Sequence, residues 1–244
     1  MIEPVEKYIQ SDFLQKGFEY GLLSYGSECK DVDVLFIQDG WDYLEIGKIQ
    51  EGVEKVLHGT SGRGRIGILL VLVPPGTSEE RYHYYHPNGR QHKEYMDFFS
   101  QELVPDVLEE LKLQGKKVRK LGLLGDSLGA TVSLTIAMQQ PSLWTNLLLQ
   151  SGVFPGVLYD KLKALQTEKK EFHWNVYQVV GLQENNFYYA LSEEVFHILT
   201  HNRKLMKLFS SLSMNLTYYE ENEGHLWTFW QRDLPRALGF FIHK

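Results

Sequence analysis

A serine with a glycine two residues to either side, Gly125-Asp126-Ser127-Leu128-Gly129, interrupts an apolar run that begins at Leu121 and resumes from Ala130 to Ala137. The pattern reads as a nucleophile elbow. A short buried strand turns sharply into a helix, the glycines let the two backbones pass closely, and the hydroxyl stays available at the turn. Leu128 then holds the first helical position, where its amide stabilises a developing oxyanion. The chemistry this supports is acyl transfer through Ser127. Five residues with three fixed positions recur by chance, so the weight comes from the strand before and the helix after.

A serine hydroxyl is a poor nucleophile at neutral pH and needs a base within hydrogen-bond reach, itself oriented by a third group. On strand–turn–helix elbows of this kind the chain order is serine, acid, histidine. His225 follows the last strand candidate, Asn215 to Tyr219, in Glu223-Gly224-His225-Leu226-Trp227, where a glycine lets a loop project over the elbow. The other histidines after Ser127 fit less well. His173 precedes a strand, His197 and His201 lie four apart on a helical pattern, and His243 is next to last. Glu184 stands just beyond the strand Val176 to Val180, at the place expected for the acid. An aspartate is commoner there, Glu220, Glu221 and Glu223 compete by proximity to His225, and a dyad without an acid stays open.

The elements that must carry these residues alternate along the chain. Strands are predicted over 18–25, 32–37, 66–73, 118–124, 147–152, 176–180 and 215–219. Between them lie helical patterns: Glu94 to about Gly115, where Pro105 kinks or breaks the helix; Leu128 to about Gln140; Tyr159 to Lys170; Ser192 to Ser210; and Leu226 to Ile242 despite Pro235. Alternation of this kind predicts an α/β fold, a mostly parallel central sheet with helices on both faces. A chain of 244 residues with 43% hydrophobic content fits a single domain over 1–244, without a large lid domain.

Bulk properties narrow the function. A net charge of -6 with no dense Lys/Arg block argues against a nucleic-acid partner. No apolar window approaches a membrane span, and the mixed-charge start Met1-Ile2-Glu3-Pro4-Val5 lacks a secretory signal, so the expectation is a cytoplasmic protein that does not engage membranes. The one cysteine, Cys29, allows no internal disulfide and has no elbow around it. His83, His86 and His92 read as one irregular aromatic loop rather than a metal site, and no cofactor is implied. That loop, with Trp41, is a candidate wall for an aryl or sugar ring.

Taken together, Leu35-Phe36-Ile37-Gln38-Asp39-Gly40-Trp41, the segment Tyr95 to Pro105, the elbow and Glu223 to Trp230 resemble the esterase D and enterochelin-esterase-like branch of the α/β-hydrolases, over nearly the whole chain. The resemblance implies an α/β-hydrolase fold with Ser127 as nucleophile and His225 as base. It also implies a second oxyanion donor from the loop after Ile37, the amide of Trp41 or Gly40, with Asp39 a structural turn residue. Asp126 and Leu128 stand where relatives often have histidine and methionine, and Glu184 where they have aspartate. The substrate class implied is a small-molecule ester; a siderophore trilactone and an acetylated sugar are both permitted.

Overall fold

The computed structural model describes residues 2–59, 66–167, 172–212 and 214–244. Its strands are β1 (Val5–Ser11), β2 (Lys16–Tyr25), β3 (Asp31–Gln38), β4 (Ile66–Val73), β5 (Lys117–Asp126), β6 (Asn146–Gln150), β7 (Asn175–Gly181), β8 (Phe187–Tyr189), β9 (Glu194–Phe196) and β10 (Asn215–Glu221). Eight of them form one sheet in the order β1-β2-β4-β3-β5-β6-β7-β10. The pairs of β1 with β2 and of β2 with β4 are antiparallel, and every other pair in that sheet is parallel. β8 and β9 make a separate antiparallel hairpin.

The helices are α1 (Gly40–Glu45), α2 (Ile49–His58), α3 (Ser78–Tyr85), α4 (His92–Phe98), α5 (Val104–Leu113), α6 (Leu128–Gln139), α7 (Gly156–Thr167), α8 (Ile198–Ser211) and α9 (Trp227–His243). Alternate residues of each central strand point to opposite layers. Val34 and Phe36 join one core with α3 to α8, whereas Leu35 and Ile37 join the other with α1, α2 and α9. Both faces of the sheet are therefore dry, which is why the central strands read as unbroken apolar runs. Helix α6, behind the elbow, is buried on all sides from Leu128 to Met138, as an α-helix apolar all round its circumference must be. This is the α/β-hydrolase architecture.

Several elements depart from the expectation. β1 reads as polar because it is an edge strand, with Val5, Glu6 and Tyr8 exposed. The segment through His83 is no loop but helix α3, which ends just before His86 and is started by a capping box in which Thr77 accepts from the Glu80 amide and the Glu80 side chain accepts from the Thr77 amide. The helix expected from Glu94 is α4 joined to α5 through a π turn over Phe99–Leu103; Pro105 sits in the first turn of α5, where its missing N–H costs little. The helix expected from Ser192 begins only at Ile198, because Phe187 to Phe196 forms the hairpin instead, and His197 is the residue that precedes α8 rather than a member of it. The part of the 159–170 pattern beyond Thr167 lies outside the described residues. No helix among the described residues is long and apolar enough to cross a membrane.

Candidate active site

Ser127 lies between the last residue of β5 and the first of α6 with φ 50 and ψ -119, a backbone conformation that side-chain-bearing residues rarely adopt. Packing on either side enforces the turn. A Cβ on Gly125 would stand 2.3 Å from the Gly129 carbonyl carbon, and one on Gly129 would stand 2.8 Å from Asp39 Oδ2. The Ser127 amide donates to the Gln150 carbonyl at 2.9 Å, tying the elbow to β6. Gly125→Ala is expected to cost at least about 3 kcal/mol, because the added Cβ meets the Gly129 and Ala130 backbone, which cannot yield as a flexible side chain would; urea unfolding of the variant checks this.

The structure brings Ser127, His225 and Glu184 together. His225 Nε2 is 2.9 Å from Ser127 Oγ, and His225 Nδ1 is 3.1 Å from Glu184 Oε1. Two loops make that meeting possible. After β7 the Leu182 and Gln183 amides donate to the carbonyls of Glu221 and Glu223, so the acid-bearing turn and the histidine-bearing turn are zipped to each other. Gly181 allows it, since a Cβ there would lie 2.3 Å from the Glu223 carbonyl oxygen. Glu184 is 2% exposed, and its Oε2 accepts from the Gly181 amide at 2.9 Å, which leaves Oε1 for the imidazole.

The competing carboxylates are engaged elsewhere. Glu220 pairs with Arg203, Glu221 with Arg236 and Glu223 with Arg232. Behind His225, Trp230 of α9 presents its ring edge-on at 4.9 Å and donates through Nε1 to Ser151 Oγ. Asp233, one turn further along α9, accepts from Gln150 of β6 and Tyr177 of β7. These bonds anchor the start of α9, and with it the histidine loop, to the strands that flank the elbow.

The chain matches a family model described as "Putative esterase" over residues 22–241. It belongs to this esterase family. A relative from Bacillus subtilis (strain 168), "Uncharacterized protein YjcH", is 31% identical over 205 residues, 84% of this chain and 82% of that protein. Among solved structures, enterochelin esterase from Shigella flexneri is similar with a TM-score of 0.76 and 17% identity; the match covers 99% of this chain and 59% of that one, so this esterase spans about three fifths of its length. The siderophore hydrolase EstB from Aspergillus nidulans (TM-score 0.75, 16% identity, 99% and 94% covered) and the BES protein from Bacillus cereus (0.74, 17%, 99% and 96%) share the fold along nearly their whole length.

In the esterase an open cleft of about 260 Å³ lies over Ser127 and His225, with Phe187, Tyr189, Leu226, Trp227 and Trp230 as its apolar walls and Asp42, Arg81 and Asp126 as its polar ones. A larger cavity of about 480 Å³ between α4, α6 and α7 contains none of the three clustered residues. Trp41 and the segment Tyr82 to His86, expected to line a substrate pocket, do not line the cleft over Ser127. The Trp41 ring lies over Gly21 of β2, where a Cβ would come within 2.7 Å of it. Tyr82 stacks on His86 at 5.0 Å and on Tyr189 at 5.8 Å, and His86 stacks on Phe196. Helix α3 thus supports the β8–β9 hairpin, and the hairpin supplies the wall: Phe187 covers His225 at 4.3 Å.

The amides expected to bind an oxyanion stand at the starts of two helices. Leu128 heads α6, and Gly40 and Trp41 head α1, so their N–H groups have no partner within their own helices. The Asp39 side chain lies against Gly129, which brings the start of α1 beside the start of α6.

Sequence reasoning missed Arg81. Its Nε and Nη2 each donate to Asp39 at 2.7 Å, and Nη2 stands 3.7 Å from Asp126 Oδ2. Burial, and then the neighbouring Asp39 charge, push the Asp126 carboxyl well above the usual carboxylate range, against the opposing pull of Arg81. Only the capping box at Thr77–Glu80 could have revealed that Arg81 rides on a helix.

The described residues contain no group of three metal-ligating side chains. Of the histidines expected to share a loop, His86 and His92 are buried, and burial lowers the affinity of both for a proton. Their folded pKa lies below the unfolded value of about 6.5, so the unfolded chain binds the protons first as pH falls. The stability they contribute is present above about pH 6.5 and is lost below it. The urea midpoint is therefore expected to drop between about pH 7.5 and about pH 5.5.

Proposed function

We propose that the protein is a serine carboxylesterase acting on a small soluble ester. The observation that carries this is the hydrogen-bonded chain Ser127–His225–Glu184, with 2.9 Å and 3.1 Å contacts. Ser127 Oγ attacks the acyl carbon while His225 Nε2 takes its proton; the same proton then goes to the departing alcohol, and water activated by His225 releases the acyl group from Ser127. Glu184, held ready by the Gly181 amide, accepts from His225 Nδ1–H and fixes the tautomer whose Nε2 is free to act as base. The tetrahedral oxyanion is bound by the Leu128 amide and a second amide, that of Trp41 or Gly40. No cofactor takes part in this chemistry, and the chain works as a single α/β-hydrolase domain.

Turnover of p-nitrophenyl butyrate by the purified protein tests the reading. Hydrolysis that disappears with Ser127 supports it, and hydrolysis that survives in Ser127→Ala contradicts it. A narrower substrate, a siderophore trilactone, draws support from the similarity to an enterochelin esterase and a siderophore hydrolase. Trilactones with and without iron belong in the same assay; if simple esters are cleaved and neither trilactone is, that substrate is ruled out.

A further inference from the structure

The charges around Ser127 describe a substrate more closely than the serine chemistry does. Arg81 is the only lysine or arginine among the described residues that line the cleft, and its charge is already matched. Asp39 takes two of its N–H groups at 2.7 Å each, with Asp126 beside them. Facing it are two further carboxyl groups. Asp126 is 2% exposed, and its Oδ1 has no hydrogen-bond partner among the described residues. Asp42 is exposed in the first turn of α1. Burial first, and then nearby Asp39, raise the proton affinity of both against the opposing pull of Arg81.

The remaining walls are aromatic. In the proposed reaction His225 protonates the departing alcohol, so the alcohol portion of the ester lies against the rings around His225. Those are Phe187 at 4.3 Å and Trp230 at 4.9 Å, with Trp227 5.2 Å from Trp230. Trp227 in turn meets Tyr43 at 5.2 Å, next to Asp42. Ring faces flanked by a carboxylate attract a cation through the ring quadrupole and the Coulomb term together. An anion entering the same cleft would lose hydration and meet Asp42, with Arg81, the one lining lysine or arginine among the described residues, already engaged by Asp39.

Resting on the serine-esterase reading, we propose that this esterase selects esters whose alcohol portion carries a cationic group, held by the Asp42 carboxylate and the Phe187 and Trp227 rings, and that it disfavours anionic esters.

The test is a matched series: the butyrate esters of choline, of its neutral isostere 3,3-dimethylbutanol, and of 4-hydroxybutanoate, with p-nitrophenyl butyrate as a common reference. The expected order of kcat/KM is cationic, neutral, anionic, with at least about a tenfold advantage of choline over the isostere. That ratio should fall several-fold in Asp42→Asn and as salt is raised, because both remove the charge term. Within each protein the ratio is its own control for damage to folding. An anionic ester cleaved as well as the neutral one, or a choline ratio near unity or unmoved by Asp42→Asn, overturns the proposal. If p-nitrophenyl butyrate is cleaved without charge preference, only this inference fails; if none of the four esters is cleaved, the serine-esterase reading fails with it.

Discussion

Replacing Ser127 with alanine is expected to lower kcat for p-nitrophenyl butyrate by on the order of 10⁴-fold or more, leaving only the rate that binding and backbone donors supply. The fold should survive. The hydroxyl contributes one hydrogen bond, to His225, so its loss costs about 1 kcal/mol and urea unfolding should show a near-normal midpoint. Because nucleophile and base act as one unit, His225→Ala should cost about as much, and the double variant little more than either. A residual rate within about tenfold of wild type would remove Ser127 from the reaction.

Glu184→Gln is the second large effect, expected at about 10³-fold or more in kcat with KM little changed. The reason lies in the number of acceptors. Glu184 uses one oxygen for the Gly181 amide and the other for His225 Nδ1, and both partners require an acceptor. Glutamine offers one oxygen. If it serves Gly181, its NH₂ faces Nδ1 and forces the proton onto Nε2, so the imidazole can no longer take a proton from Ser127. If it serves His225, the NH₂ group opposes a backbone N–H. Replacing Glu220, which is committed to Arg203, should change the rate less than about twofold. The comparison separates a positioned acid from a carboxylate that is only nearby in sequence.

The sheet and the three clustered residues were legible because each rests on local pattern. Unbroken apolar runs such as Ile66 to Val73 signal strands covered on both faces, and the Gly125–Gly129 spacing follows from a backbone approach so close that a Cβ on Gly125 would stand 2.3 Å from the Gly129 carbonyl carbon. Glu184 and His225 could be ordered along the chain, but not paired, since the bonds joining Leu182 to Glu221 and Gln183 to Glu223 link segments some forty residues apart. The cleft walls were not legible. The hairpin that carries Phe187 and Tyr189 is held by stacking on α3 rather than by a hydrophobic period of its own, so its strands merged with the helix that follows. Trp41 was misplaced for a related reason. An aromatic just past the end of a central strand suits a pocket, yet Gly21 on β2, two strands away from β3, leaves a gap that the indole fills.

The most direct test of an activated Ser127 is covalent capture. Brief exposure to a fluorophosphonate, followed by intact-mass measurement and peptide mapping, should give one adduct on Ser127 in the wild type. The account predicts that the labelling rate falls by orders of magnitude in His225→Ala and substantially in Glu184→Gln, because an unassisted serine does not react. No adduct on the folded wild-type protein, an adduct on another residue, or unchanged labelling of Ser127 without His225 would contradict it.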